Sequence, residues 1–319
     1  MKRTWWAALA LGMSSVFPVS ANAAPIGVVT SNPGSIYHSI GTAVAKVVND
    51  AGVPATVQPA TSPNQYLPLI SAGEFDIGPV NLQEASYAYQ GGGWFDGRPN
   101  PGLRLISLLF PLRVTVFVRA DSDMKTFTDL KGKRMTAGYT AQKTIVPQLA
   151  AMYATAGMSA DDMVSVPVPS VVGGANAFMS GKADAFMFAI GAGKVREADA
   201  AVGGIRALAI ENHDGAEKAA KQHWPVGYLT LVQPGKAAGP GIKEPTWMLT
   251  YPQAIVGGEK TSDDVAYRVA KAMYEGKDKL AAILPPFRNF DPAEMAGPNG
   301  GVPWPPGAVR FSREVGLMK

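Results

Sequence analysis

Cysteine is absent from the 319 residues of this chain. Its absence excludes disulfide bridges and thiolate metal sites, and it is compatible with the periplasm without proving that location. Histidine is nearly as scarce. His38, His213 and His223 have no metal-ligating partner at helical or turn spacing. The sequence therefore predicts no metal site, and it contains no cofactor motif.

Motifs for nucleotide binding and for hydrolysis are also missing. The chain contains neither GxGxxG nor GxxxxGKS, and it has no GxSxG elbow. The acidic pairs Asp161-Asp162 and Asp263-Asp264 fall in the first turns of predicted helices, where negative charge complements the helix dipole. We therefore expect a binding protein and no enzyme, with an enzyme on the same scaffold as the less favoured alternative.

A strong charge of either sign is lacking. The sequence has 29 basic and 25 acidic residues, and two of the basic ones, Lys2 and Arg3, lie at its very start. Without them the chain carries 27 basic against 25 acidic residues, a net charge of +2. Such a small excess argues against a nucleic-acid partner.

The first 24 residues have the pattern of a secretory signal peptide. Lys2 and Arg3 precede an apolar run from Trp5 to Val19, and Ala21-Asn22-Ala23 fits a small-residue cleavage site, which predicts cleavage near Ala23-Ala24. A membrane anchor is the alternative, but the run is short and is broken by two serines and a proline. We expect a periplasmic protein.

The stretch from Ile26 to Gly52 predicts a strand, a tight turn and a helix. Apolar residues at helical spacing begin after Ser35, a typical N-cap residue, and Gly52 fits the C-cap. The first N–H groups of a helix have no partner within the helix, so Gly34, Ser35 and Ile36 can form an anion-binding site. The alternative is that Ser35 only caps a core helix.

A second strand, glycine turn and helix start follow about a hundred residues later. Gly138-Tyr139-Thr140 forms the predicted turn, and the helix is expected to begin at Gln142. Lys143 then lies in the first turn, where the dipole disfavours a cation unless an anionic ligand is near. A solvated surface lysine is the alternative. We expect both helix starts to face one crevice between two domains.

Strands alternate with helices along the whole chain, which predicts an α/β fold with mostly parallel sheets. The 295 residues after the leader suit two domains better than one core. We assign residues 1–24 to the signal peptide, residues 25–113 and 246–319 to a first lobe, and residues 114–245 to a second. No low-complexity linker separates the lobes, so strands are expected to join them.

Polar and aromatic side chains accumulate on the predicted crevice loops. Hydroxyl, amide and carboxyl groups at Thr140, Gln142 and Thr144, and at Ser62, Asn64, Gln65, Asn81 and Glu84, are candidates to contact a solute. The aromatic candidates for the walls are Tyr37, Tyr66, Tyr139 and Phe188. Core packing is the alternative for these aromatic residues.

Several segments resemble the TAXI-type solute-binding proteins of tripartite ATP-independent periplasmic (TRAP) transporters, over essentially the whole chain after the leader. Gly34-Ser35-Ile36-Tyr37 is similar to that family's glycine-rich turn followed by tyrosine, and 129–134 (DLKGKR) is similar to its DLKGK segment. The further similar segments are 72–78 (AGEFDIG), 88–91 (AYQG), 181–186 (GKADAF) and 306–316 (PGAVRFSREVG).

The resemblance implies a type II Venus-flytrap fold, in which two α/β lobes joined by crossing strands enclose a ligand. It also implies delivery of the ligand to the membrane permease subunits of a TRAP transporter. Members that bind glutamate-like ligands usually carry Gly-Ser-Gly-Thr at the second helix start, where this chain has Ala141-Gln142-Lys143-Thr144. Because such departures fall on expected ligand loops, we expect a small anionic organic solute, a carboxylate or an amino acid, without specifying glutamate. An ABC-transporter binding protein for a sulfonate-like or other small anion is the alternative.

Overall fold

The structure is a computed structural model that describes residues 25–235 and 238–319. The predicted signal peptide, residues 1–24, lies outside the described residues. Among the described residues, no helix combines the length and the apolar character needed to cross a membrane.

The chain begins in one sheet, passes into a second and returns to the first. The elements before the first passage are β1 (Ile26–Thr30), α1 (Ile36–Asp50), β2 (Ala55–Pro59), α2 (Pro63–Ala72), β3 (Ile77–Asn81), α3 (Leu82–Gln90) and β4 (Leu103–Leu108). After the return they are β12 (Gln253–Gly258), α8 (Asp263–Glu275), α9 (Lys277–Ile283) and α10 (Pro306–Glu314). Together these elements form lobe I.

Lobe II is formed by the middle of the chain. Its elements are β5 (Leu112–Arg119), β6 (Arg134–Gly138), α4 (Ile145–Thr155), β7 (Val164–Val168), α5 (Val171–Met179), β8 (Ala185–Ala189), α6 (Gly193–Val202), β9 (Ile205–Ala207), α7 (Ala216–His223), β10 (Tyr228–Val232) and β11 (Thr246–Tyr251). The expected boundary placed residues 246–251 in lobe I, but β11 pairs with β5 and β10 in the second sheet.

Both sheets are mixed. In lobe I the order is β2-β1-β3-β12-β4, with β1 parallel to β2 and β3, and with β12 antiparallel to β3 and β4. In lobe II, β6 is parallel to β7 and β8, whereas β5 is antiparallel to β8, β9 and β11. The expectation of mostly parallel sheets was wrong because strands next to the passages enter each sheet in the opposite direction.

Burial explains which strands form the centre of each lobe. Every residue of β1, β3 and β12 is buried, as expected for strands covered on both faces. In lobe II the rings of Phe117 and Phe186 stack at 5.6 Å, and Phe178 packs on Phe186 at 4.6 Å between ring centroids. These aromatic contacts hold α5 against the sheet.

Two short connections join the lobes. One runs from Leu108 to Leu112 and the other from Tyr251 to Gln253. They are bonded to each other: Leu109 N donates to Gln253 O at 2.8 Å, and Gln253 Nε2 donates to the Phe110 carbonyl at 2.9 Å. The connections therefore act as one hinge beside the cleft.

Candidate functional site

A cavity lies between the lobes, next to the hinge. Lobe I contributes Ser31, Ser35, Ile36 and Tyr37, and lobe II contributes Gln142, Thr144, Ile145, Gln148, Val171, Met187, Phe188 and Ala189. Leu112, Val114 and Tyr251 close it on the hinge side. Its volume is about 30 Å³, room for about two water molecules, so the described conformation is closed.

The N-terminus of α1 forms the lobe I wall. Ser35 is its N-cap, and the Ser35 hydroxyl accepts a hydrogen bond from His38 N at 3.1 Å. The first bond of the helix proper runs from Ser39 N to Ser35 O, which leaves the N–H groups of Ile36 and Tyr37 without a partner within the helix. These two donors and the helix dipole favour negative charge at this end of the cavity.

The start of α4 forms the opposite wall. The predicted helix start at Gln142 was wrong, since α4 begins at Ile145. Tyr139 adopts a positive φ of 43°, and the residues after it form a turn before the helix. Gln142 Oε1 accepts a hydrogen bond from Val171 N at 3.1 Å, which ties this turn to the N-terminus of α5.

Among the residues that the structure describes, four hydrogen bonds cross the cleft between the lobes. Ser62 Oγ donates to Ala141 O at 2.5 Å, and Lys143 N donates to Asn64 Oδ1 at 3.3 Å. Asn81 Nδ2 donates to Thr144 Oγ1 at 3.2 Å, and Lys194 N donates to the Gly34 carbonyl at 3.1 Å. Closure therefore depends on polar groups at the tips of α1, α2, α3, α4 and α6.

Glu84 lies behind the Asn81–Thr144 contact with no exposed surface. Asn81 Nδ2 donates to Glu84 Oε2 at 3.0 Å. The indole N–H of Trp94 lies beside the carboxyl group, but neither it nor Glu84 Oε1 forms a hydrogen bond of good geometry among the described residues. Burial raises the pKa of Glu84 to about 8, against smaller opposing effects of Trp94, Asn81 and Thr144. The carboxyl group is therefore mostly protonated at neutral pH.

The structure divides the predicted site residues into three groups. Cavity-lining residues are Ser35, Ile36, Tyr37, Gln142, Thr144 and Phe188. Residues that bond across the cleft or stand just behind it are Gly34, Ser62, Asn64, Asn81 and Glu84. Residues that neither line the cavity nor bond across the cleft through a side chain are Gln65, Tyr66, Tyr139, Thr140 and Lys143.

Three predicted contacts need correction. The Tyr66 hydroxyl donates to the Pro79 carbonyl inside lobe I, and the Tyr139 hydroxyl bonds Thr136 Oγ1 at 2.7 Å inside lobe II. Lys143 is exposed, and only its backbone N–H reaches across the cleft. No lysine, arginine or histidine side chain lines the described cavity, so the expected cationic contact is absent there.

Sequence reasoning missed Ser31, Gln148 and Tyr251, which line the cavity with polar groups. Gln148 follows Thr144 by one helical turn, so a polar residue four positions after a candidate contact was the available signal. Ser31 and Tyr251 gave no such signal, because their place beside the cavity depends on the paths of β1 and β11. Among the described residues, no cluster of three His, Asp or Glu side chains is placed to hold a metal ion.

A closed cleft between two α/β lobes on a two-strand hinge defines a protein with the fold of periplasmic solute-binding proteins. The chain belongs to the NMT1-like family, whose model matches residues 28–316. A structure described as a periplasmic transporter superposes with a TM-score of 0.58 at 14% identity, covering 92% of each chain.

Two liganded structures share the fold. MatC from Rhodopseudomonas palustris with bound malate gives a TM-score of 0.57 at 12% identity, covering 92% of this chain and 99% of MatC. PhnD1 from Prochlorococcus marinus in complex with methylphosphonate gives 0.54 at 10% identity, covering 92% and 98%. At such identities the similarity establishes the fold alone, which is the type II two-lobed fold expected from the sequence.

Proposed function

We propose that this protein is a periplasmic receptor that encloses a small anionic organic solute, a carboxylate in the first instance, between its lobes. The proposal is based on the cavity between the lobes, where the N-terminus of α1 faces the first turn of α4 across the cleft. The α1 end brings N–H groups without a partner within the helix and positive polarity to this space. The first N–H groups of α4, at Ile145 and Val146, donate to Gln142 O and Lys143 O, so this end contributes its dipole and the Thr144 hydroxyl instead.

No cationic side chain of the described residues lines the cavity, and this limits the charge that the solute can carry. One anionic group can be stabilised by the α1 N–H groups and nearby hydroxyls, as at other helix N-termini. A second negative charge would be buried without a partner, and this is costly. The neutral form of Glu84 avoids adding a like charge behind the site.

Solute binding should stabilise a conformation in which the lobes are closed around the solute, less tightly than in the described structure, because the solute contacts both lobes. We expect a thermal-shift screen of carboxylates, sulfonates, phosphonates and amino acids to raise the melting temperature for a small group of monoanions. A ligand at a hundred times its Kd adds about 2.7 kcal/mol to the free energy of unfolding. Stabilisation by uncharged sugars alone would show that the anion assignment is wrong.

We further propose that the receptor serves a TRAP-type secondary transporter, on the strength of the sequence resemblance to TAXI proteins. An ABC transporter is the second candidate. It is favoured by Ala141-Gln142-Lys143-Thr144, which departs from the Gly-Ser-Gly-Thr segment of TAXI proteins that bind glutamate-like ligands. The match to the NMT1-like family is compatible with either kind of transporter. Neighbouring genes separate them: two membrane subunits without an ATPase support the TRAP assignment, and an adjacent ATPase subunit supports the alternative.

A further inference from the structure

Two side chains in the cavity carry polar atoms without partners. Gln148 is 1% exposed, and its amide lies beside the Tyr251 hydroxyl, but neither its nitrogen nor its oxygen forms a hydrogen bond of good geometry with the described residues. Ser31 is 2% exposed, and its hydroxyl lies beside that of Tyr66 without forming a hydrogen bond of good geometry with the described residues. Buried polar groups in folded proteins are nearly always paired, so these atoms indicate a partner that enters the cavity.

The position of Gln148 indicates how a solute in the cavity would be oriented. Gln148 lies on α4 one turn after Thr144, beside the Tyr251 hydroxyl. The α1 N-terminus is on the opposite wall of the same cavity. A solute held at both ends would therefore place one group against the N–H groups of Ile36 and Tyr37 and another against the Gln148 amide.

The two ends favour different chemistry. The α1 end offers donors and positive polarity, which suit a carboxylate. The Gln148 end offers an NH₂ donor group and a carbonyl acceptor on one planar amide, so an acceptor-only carboxylate there could pair with the nitrogen but not with the oxygen, which would face negative charge. A primary carboxamide presents the complementary acceptor and donor, and it carries no charge.

We propose that Gln148 is a specificity-determining residue that selects a solute with an uncharged donor–acceptor group, such as a primary carboxamide, at the end opposite its carboxylate. This inference rests on the proposed function. It refines the substrate class from small anions in general to monoanions with an amide-like second end, and it excludes dicarboxylates as preferred solutes. Because the closed cavity holds about 30 Å³, such a solute requires the lobes to stand further apart than they do here.

Three compounds of similar size test the inference on the wild-type protein. Succinamate has the carboxamide, succinate has a second carboxylate, and monomethyl succinate has an uncharged end that accepts but cannot donate. We expect calorimetric titration to show binding of succinamate tighter by about tenfold or more than either of the others, since a site with an unmade buried hydrogen bond discriminates strongly.

Two variants test whether Gln148 is responsible for the expected preference for succinamate. Gln148→Met keeps the length of the side chain and removes both polar atoms, so the preference for succinamate should fall to about twofold or less. Gln83→Met is the matched control: Gln83 is 7% exposed and its Oε1 has no partner among the described residues, but it lies on α3 and does not line the cavity. We expect Gln83→Met to keep the wild-type preference.

Several outcomes would overturn the inference. They are equal or tighter binding of succinate, equal binding of monomethyl succinate, an unchanged preference in Gln148→Met, and no binding of succinamate at all. The comparison on the wild-type protein stands even if Gln148→Met does not fold. If other carboxylates stabilise the protein while succinamate does not, the proposed function stands and only the role of Gln148 is lost.

Discussion

Glu84 is a carboxylic acid with no exposed surface beside a contact that joins the two lobes. The titratable groups that face it are Tyr37, Tyr66 and Tyr251, and each of these has a pKa raised by burial. The tyrosines therefore remain neutral over the range in which Glu84 titrates. A pH response of this region can be assigned to Glu84 alone among these four groups.

The free energy of unfolding should fall as the pH rises from 4.5 to about 8, the range between the unfolded and folded pKa values of Glu84. Burial raises the pKa of Glu84 from 4.5 to about 8, so between these values the unfolded chain releases a proton that the folded chain retains. Glu84 then lowers the free energy of unfolding by up to about 1.4 kcal/mol per pH unit. We expect Glu84→Gln, which mimics the protonated form, to remove this slope in urea titrations from pH 5 to pH 8.

Glu74→Gln is the control for this prediction, because Glu74 is exposed. It should keep the wild-type pH profile. Parallel profiles for wild type and Glu84→Gln would show that Glu84 is already ionised in the folded protein at neutral pH.

At the scale of elements, the approach of α1 to β1 sets the position of the site. Gly41 lies on the buried face of α1, and a Cβ at that position would be 2.3 Å from Thr30 Cγ2. Thr30 cannot turn away freely, since its hydroxyl bonds His38 Nδ1 at 3.0 Å. The glycine therefore allows the helix to lie close enough to bring Ser35 and Ile36 to the cavity.

Gly41→Ala should displace α1 from the sheet. The overpacking is expected to cost about 1–3 kcal/mol of unfolding free energy and to weaken solute binding, because the helix N-terminus moves with the helix. Lys46→Ala, on the exposed face of α1, is the comparison and should change stability by about 0.5 kcal/mol or less. Chemical denaturation measures the unfolding free energies of both variants. Equal values for Gly41→Ala and wild type would contradict the close approach of α1 to β1.

Local patterns predicted α1 well and α4 poorly. Ser35 and the apolar spacing after it mark α1 because the capping residue and the periodic face are both in the sequence. The start of α4 was placed three residues early, because the turn at Tyr139 uses a positive φ that favours glycine. Helix α7, from Ala216 to His223, gives a weak pattern in the sequence, since it is short and its apolar residues are alanines.

Residue burial in the cleft was the least predictable feature. A glutamine on an amphipathic helix has the same appearance in the sequence whether it faces water or a second lobe, so Gln148 could not be selected. Lys143 was selected for its charge and its place near a helix start, but its side chain points away from the cavity into solvent. Both errors have one cause: the relative placement of two lobes is not encoded by local spacing.

At the scale of the whole molecule, we expect the cross-cleft hydrogen bonds to favour the closed form over an open one. Thr144→Val removes the lobe II acceptor of Asn81, and we expect it to shift the ratio of closed to open protein by about fivefold towards the open form. Small-angle scattering should then give a larger radius of gyration.

Thr140→Val is the matched control for that shift, because Thr140 is exposed on the same turn and lines no part of the cavity. Its scattering should equal that of wild type. A scattering profile of Thr144→Val identical to wild type, in the absence of solute, would mean that this bond does not hold the lobes together.

The place of β12 has a consequence for how the protein is made. This strand comes from the last quarter of the sequence, yet it lies between β3 and β4 inside the first sheet. During synthesis, every strand of lobe II emerges before lobe I can receive its missing inner strand. Lobe II can therefore fold as a unit before lobe I is complete. Until residues 253–258 have been synthesised, the edges of β3 and β4 that will pair with β12 have no partner strand.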